Sequence, residues 1–210
     1  MVLFKRLLEI GCLFILVEIC IWCTWPQYPV FRWIYVAGIA AAMAMCCAMH
    51  KDTPELLGFK PVKSGAWRII AIGVIANLVV LVALGLAYNR TGMGPFEDLA
   101  LKALYYLPWA FVQQLAASSF FTNRLASAFG RGHAWETSMT SGALFAVAHI
   151  PNPVLFVFAF VNGVLGARIF MSYRNMYALT VAHAILGPAV ELFLPEAWHK
   201  GLAIGPGFFI

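Results

Sequence analysis

The chain has 210 residues, of which 62% are hydrophobic and only 11% charged, with a formal net charge of +5. That charged share is less than half of what a soluble domain carries, so a water-facing surface cannot be assembled from it and the composition excludes a soluble globular fold. The positive balance calls for no nucleic acid, because lysines and arginines flanking membrane spans set orientation and meet anionic lipid headgroups.

A spanning helix needs roughly 20 mostly apolar residues, and seven stretches approach that: 7–25, 30–49, 69–88, 101–121, 138–150, 153–171 and 176–194. The expected fold is therefore all-α, a polytopic transmembrane helix bundle of about seven spans. With no internal repeat or low-complexity segment, residues 1–210 read as a single membrane domain. The first stretch follows Lys5 and Arg6 as a signal peptide would, but it contains Glu9 and Glu18 and has no clear small-residue cleavage site, so it reads as retained. Its Cys20-x-x-Cys23 spacing has no second pair in a polar loop, and all five cysteines lie in the first two apolar stretches, where they act as small packing residues.

Placing the N-terminus in the cytoplasm puts Lys5, Arg6, Lys51, Lys60, Lys63, Arg68, Arg124, Arg131, Arg168 and Arg174 inside and leaves Arg32, Arg90, Lys102 and Lys200 outside. That asymmetry follows the positive-inside rule and suits a multi-pass protein of a bacterial cytoplasmic (inner) membrane.

Polar groups are costly inside a bilayer, so their positions carry the functional signal. In the fourth stretch Gln114, Ser118 and Thr122 fall on one helical stripe with Gln113 beside it. Amides and hydroxyls can simply bond helices together. His149 ends the fifth stretch and His183 lies inside the seventh. Two imidazoles and a polar face on three separate spans point to a shared hydrated cavity for proton transfer or metal binding. In the sixth stretch Gly163 and Gly166 read as close-packing positions, while Asn162 can bond a neighbouring helix or line that cavity.

Phe145-x-x-x-His149, the glycine-containing sixth stretch, the Tyr173-Arg-Asn-Met-Tyr approach and the His183 helix, in that order over residues 100–190, resemble the CPBP family. That family comprises type II CAAX prenyl endopeptidases and bacteriocin-processing or immunity proteins, also called the abortive-infection family. Its pattern is Glu-Glu-x-x-x-Arg, then Phe-x-x-x-His, then His-x-x-x-Asn or a similar polar residue. Here Gln113 and Gln114 replace the glutamates, Ser118 replaces the arginine and Gly187 replaces the last polar residue.

The resemblance implies an intramembrane endopeptidase acting on a membrane-anchored or membrane-embedded peptide, with a site made of Gln113, Gln114, Ser118, His149 and His183. It also implies water activation beside the histidines, with or without zinc or another divalent metal held by His149 and His183. A glutamine cannot accept a proton near neutral pH, so Gln113 cannot be the general base the family places there. One histidine as base and the other as ligand or oxyanion partner is one replacement; a carboxylate from Glu191, Glu97 or Asp98 is another. Two rival readings remain: a pseudoprotease that binds a membrane partner as a chaperone or immunity protein, and a small transporter using the histidines as a proton relay. No motif marks a prenyl-binding feature.

Overall fold

The computed structural model describes residues 2–23, 29–60, 65–89, 94–130 and 132–209. Among these every regular element is helical, with no strand: α1 Val2–Cys23, α2 Pro29–Met49, α3 Ala66–Tyr88, α4 Phe96–Gln114, a π-helical segment Leu115–Thr122, α5 Asn123–Phe129, α6 Ala134–Val147, α7 Pro153–Tyr173, α8 Met176–Phe193 and α9 Glu196–His199, followed by two short 3₁₀ turns. Lys63, Arg90 and Arg131 lie outside the described residues, as do the side chains of Lys5 and Arg32.

Helices α3, α7 and α8 are long and apolar enough to cross a membrane. The reason is visible in α3, whose sequence is apolar around its whole circumference apart from Arg68 and Asn77. Such a helix has no polar face to turn to water. Ile72, Ile75, Val79, Val80 and Leu86 lie on the outside of the molecule, an apolar surface suited to lipid rather than water. The chain is an integral membrane protein.

The helix boundaries follow local chemistry. Asn152 accepts a hydrogen bond from Leu155 N at 3.1 Å at the start of α7, with Pro153 in the first turn. Asn175 does the same for Ala178 N at 3.0 Å at the start of α8. Both are Asn caps of the expected kind. Helices α6 and α7 meet at glycines: a Cβ on Gly142 would lie 2.7 Å from Val164 N, and one on Gly163 would lie 2.9 Å from the Gly142 Cα. Gly163 is thus a close-packing position. Gly166 is not, since a Cβ there would meet only Leu179 Cδ2 at 3.8 Å.

The bundle has two distinct ends. At one, Arg6 Nη1 donates to Ser127 O, Asn123 Nδ2 donates to Leu56 O, and Arg174 Nη1 reaches Leu56 O and Asn123. An ion-pair network closes this end: buried Arg124 pairs with Asp52 at 2.7 Å and with Glu9 at 3.0 Å, and the exposed His50 lies 2.8 Å from Glu9. At the other end Asn89 donates to Phe193 O and Leu194 O, Gly94 N bonds Leu192 O, and Asn152 Nδ2 donates to His199 O and Ala203 O.

Candidate active site

The site is built by the ends of two helices and the middle of a third. Helix α4 carries Tyr106, Gln113 and Gln114 and then widens into the π-helical segment. There the backbone bonds span five residues instead of four, an arrangement concentrated at functional sites. Thr122 Oγ1 donates to Ala117 O, five residues back, and the polar stripe expected from α-helical spacing divides. Ser118 Oγ still donates to Gln114 Oε1 at 2.7 Å, but Thr122 turns to Ser141 of α6 at 2.7 Å, and Ser119 donates to Leu57 O. Thr122 therefore joins helices and takes no part in the site.

Helix α6 has only 14 residues, about 21 Å at 1.5 Å per residue and short of the roughly 30 Å hydrocarbon core. Its final turn carries Phe145, and His149 follows in the turn after it. His183 projects from α8, one turn before Gly187. Together with Asn77 of α3 and Asn162 of α7, these groups line a cavity of about 400 Å³. Gln113, Gln114, His149 and His183 all face it. Ser118 does not, and stands one layer behind, bonded to Gln114. Asn162 does both things its sequence position allowed: it lines the cavity and donates to Asn77 Oδ1 at 3.3 Å.

The Phe145 ring packs edge-on between the imidazoles, 4.8 Å from His149 and 5.6 Å from His183, centroid to centroid. A second, almost wholly apolar cavity of about 150 Å³, between α1, α2 and α6, shares Gln113, Trp109, Phe145 and His149 with the first. Gln113 and His149 thus stand on the wall between the two.

The imidazoles are held in different ways. His149 Nδ1 lies 2.7 Å from Phe145 O. A carbonyl only accepts, so Nδ1 carries the proton and Nε2 keeps its lone pair. His183 Nδ1 lies 2.9 Å from Gln114 Nε2. With Ser118 donating to Gln114 Oε1, the amide N–H donates to His183 Nδ1 and the proton sits on His183 Nε2. One ring presents an acceptor to the cavity and the other a donor.

The carboxylates weighed as replacements lie elsewhere. Glu191 forms an ion pair with Lys102 of α4 at 2.8 Å and does not line the cavity. Glu97 and Asp98 are exposed in the first turn of α4, where acidic groups complement the helix dipole. Among the described residues no group of three or more His, Cys, Asp or Glu is placed to hold a metal ion. Catalytic zinc takes three protein ligands as a rule, so two imidazoles without a third ligand do not fit it.

Tyr106 was not singled out by the sequence. Its Oη lies 3.3 Å from Gln113 Oε1 and its ring 5.8 Å from that of His183. The available signal was its position seven residues before Gln113, two turns along the same helix face.

Comparison with curated proteins and with solved structures returns no match. The family model described as type II CAAX prenyl endopeptidase Rce1-like matches residues 95–187, the span from the start of α4 through Gly187 that contributes Tyr106, Gln113, Gln114, His149 and His183. Over that region, somewhat less than half of the chain, the protein is similar to the CPBP family of intramembrane proteases.

Proposed function

We propose that the protein is an intramembrane endopeptidase in which His149 replaces the missing glutamate as general base and His183 donates a hydrogen bond to the reacting carbonyl. The observation that carries this reading is the complementary hydrogen bonding of the two rings, which leaves an acceptor on one and a donor on the other facing one cavity. In this scheme His149 Nε2 takes a proton from water as the water oxygen attacks the peptide carbonyl carbon. The carbonyl electron pair moves onto oxygen, where His183 Nε2–H stabilises it. The proton then passes to the departing amine. Gln113 and Gln114 orient substrate and ring without themselves exchanging protons.

The substrate is a membrane-anchored or membrane-embedded peptide, entering beside an apolar slot. The name of the matching family makes a prenylated CAAX sequence one candidate class. Seven spans with the N-terminus in the cytoplasm of a bacterial inner membrane suit the two-ended bundle, since the segments rich in inside-assigned lysine and arginine gather at one end. The rival reading, a binder descended from proteases, draws on a cavity whose amides can hold a peptide without cutting it.

The test is cleavage in proteoliposomes of two fluorogenic peptides, one ending in a prenylated CAAX sequence and one anchored by a transmembrane segment. Wild type should cleave at least one, with activity resistant to chelation by EDTA and 1,10-phenanthroline. His149→Ala should reduce the rate by on the order of a hundred- to ten-thousand-fold, the usual cost of losing a general base. Gln113→Ala should cost much less. Chelator-sensitive cleavage would overturn the metal-free scheme. Absence of wild-type cleavage, with Gln113→Glu gaining it, would favour the binder.

A further inference from the structure

The cavity is also lined by Tyr106, whose hydroxyl the scheme above does not use. We propose that the Tyr106 hydroxyl is a second hydrogen-bond donor to the reacting carbonyl oxygen and hence a catalytic residue, made possible by the glycine at 187. This assignment rests on the protease reading.

Gly187 lines the cavity one turn after His183, and it is not open space. A Cβ there would lie 2.8 Å from Tyr106 Cε1 and 3.3 Å from Cζ. The 2.8 Å contact is closer than Cβ atoms come, so no larger residue fits position 187 while the Tyr106 ring stays where it is. The volume that a side chain at 187 would fill is occupied from the neighbouring helix, by the edge of an aromatic ring ending in a hydroxyl. Glycine and tyrosine are therefore a matched pair across the α4–α8 interface.

The hydroxyl is poorly used in the resting site. Its one bond, to Gln113 Oε1, is 3.3 Å long, well beyond the 2.7–2.8 Å usual between oxygens. A donor held that loosely inside a cavity is available to a better acceptor. The carbonyl oxygen becomes one as water adds: the new C–O bond forms, the carbonyl π pair moves to oxygen, and the negative charge that develops takes up O–H and N–H donors. Tyr106 and His183 are neighbouring donors, since their rings pack 5.8 Å apart. When the intermediate collapses the pair returns to the carbonyl, the C–N bond breaks and the amine leaves with the proton from His149. The tyrosine gives up no proton and needs none back. Were Tyr106 only a space-filler beside glycine, phenylalanine would serve as well.

The test uses the full-length protein in proteoliposomes with the two fluorogenic peptides already described. Tyr106→Phe keeps the ring against Gly187 and removes only the hydroxyl. Its kcat should fall about a hundredfold, the scale of losing one oxyanion donor, while KM stays within about twofold of wild type. Gly187→Asn should be inactive because its side chain collides with the ring. The double variant Tyr106→Ala, Gly187→Asn should recover at least tenfold over Tyr106→Ala alone, because the asparagine amide then occupies the same volume with a donor. Thermal melting in detergent separates failed folding from lost chemistry. Full kcat in Tyr106→Phe overturns the assignment of Tyr106 and leaves the protease reading intact. Absence of cleavage by wild type overturns that reading and this assignment together.

Discussion

His149 and His183 share a side chain but differ in what their ring nitrogens can do, and the difference comes from their neighbours. A backbone carbonyl can only accept, so it fixes the His149 proton on Nδ1 permanently. An amide can do either, so Gln114 supports the observed arrangement only while Ser118 occupies its oxygen. Gln114→Glu is the informative change. A carboxylate at this position can only accept, which would draw the His183 proton to Nδ1 and leave Nε2 as a second acceptor where a donor is required. We expect kcat in the cleavage assay to fall by roughly a hundredfold, the scale of losing one donor to the oxyanion. Ser118→Ala should cost only a few-fold, as it frees the amide without forcing it over. The two histidines and the Gln pair were legible in the sequence because polar groups in apolar spans stand out. The tautomers were not, since they depend on Phe145 O and on a three-member chain of bonds that no spacing encodes. Tyr106 was missed for a related reason: tyrosine is common in membrane helices, and its role emerges only against Gly187 on a different helix.

At the scale of helices, the α-helical stripe predicted for 114–122 was right as far as Ser118 and wrong beyond it. The π-helical segment takes about one residue more per turn, and that rotation sends Thr122 to α6 and Ser119 to the α2–α3 connection. A sequence periodicity of 3.6 cannot reveal this. Helix α6 shows the opposite case: its shortness was plain in the sequence, and the structure gives it a use. Because α6 stops at Val147, His149 falls in the α6–α7 turn and lines the cavity from there. Its position depends on α6 and α7 packing backbone to backbone through Gly142 and Gly163. Gly142→Ala should lower stability by about 1–3 kcal/mol, the range for overpacking a tight interface, read as a fall in melting temperature in detergent. Gly11→Ala, where a Cβ meets nothing within 4 Å, should show no such loss.

For the whole molecule, the hydrogen bonds define two ends, and which of them faces the cytoplasm is open to a direct test. Reporter fusions after residue 60 and after residue 131 should both report cytoplasm; an external signal from either would break the proposed seven-span order. Composition made the membrane class plain. The network of Arg124, Asp52, Glu9 and His50 was not foreseen, because Glu9 reads on its own as a stray charge in an apolar run and Arg124 as a topology signal. Their pairing ties α1 to the body of the bundle, and removing the arginine would take from Asp52 its guanidinium partner and leave Glu9 only His50. The cavity differs in kind from that network: none of the described residues lining it is Asp, Glu, Lys or Arg. The consequence is electrical. An ionised side chain displaced through the full transmembrane voltage exchanges about 2.3 kcal/mol per 100 mV with the field. A resting site of amides, hydroxyls and neutral imidazoles gives the field no fixed charge to act on, and charge arises there only while His149 holds the proton. Its turnover in proteoliposomes should therefore respond less to an imposed potassium diffusion potential than that of a Gln113→Glu variant, whose carboxylate stays in the field throughout the cycle.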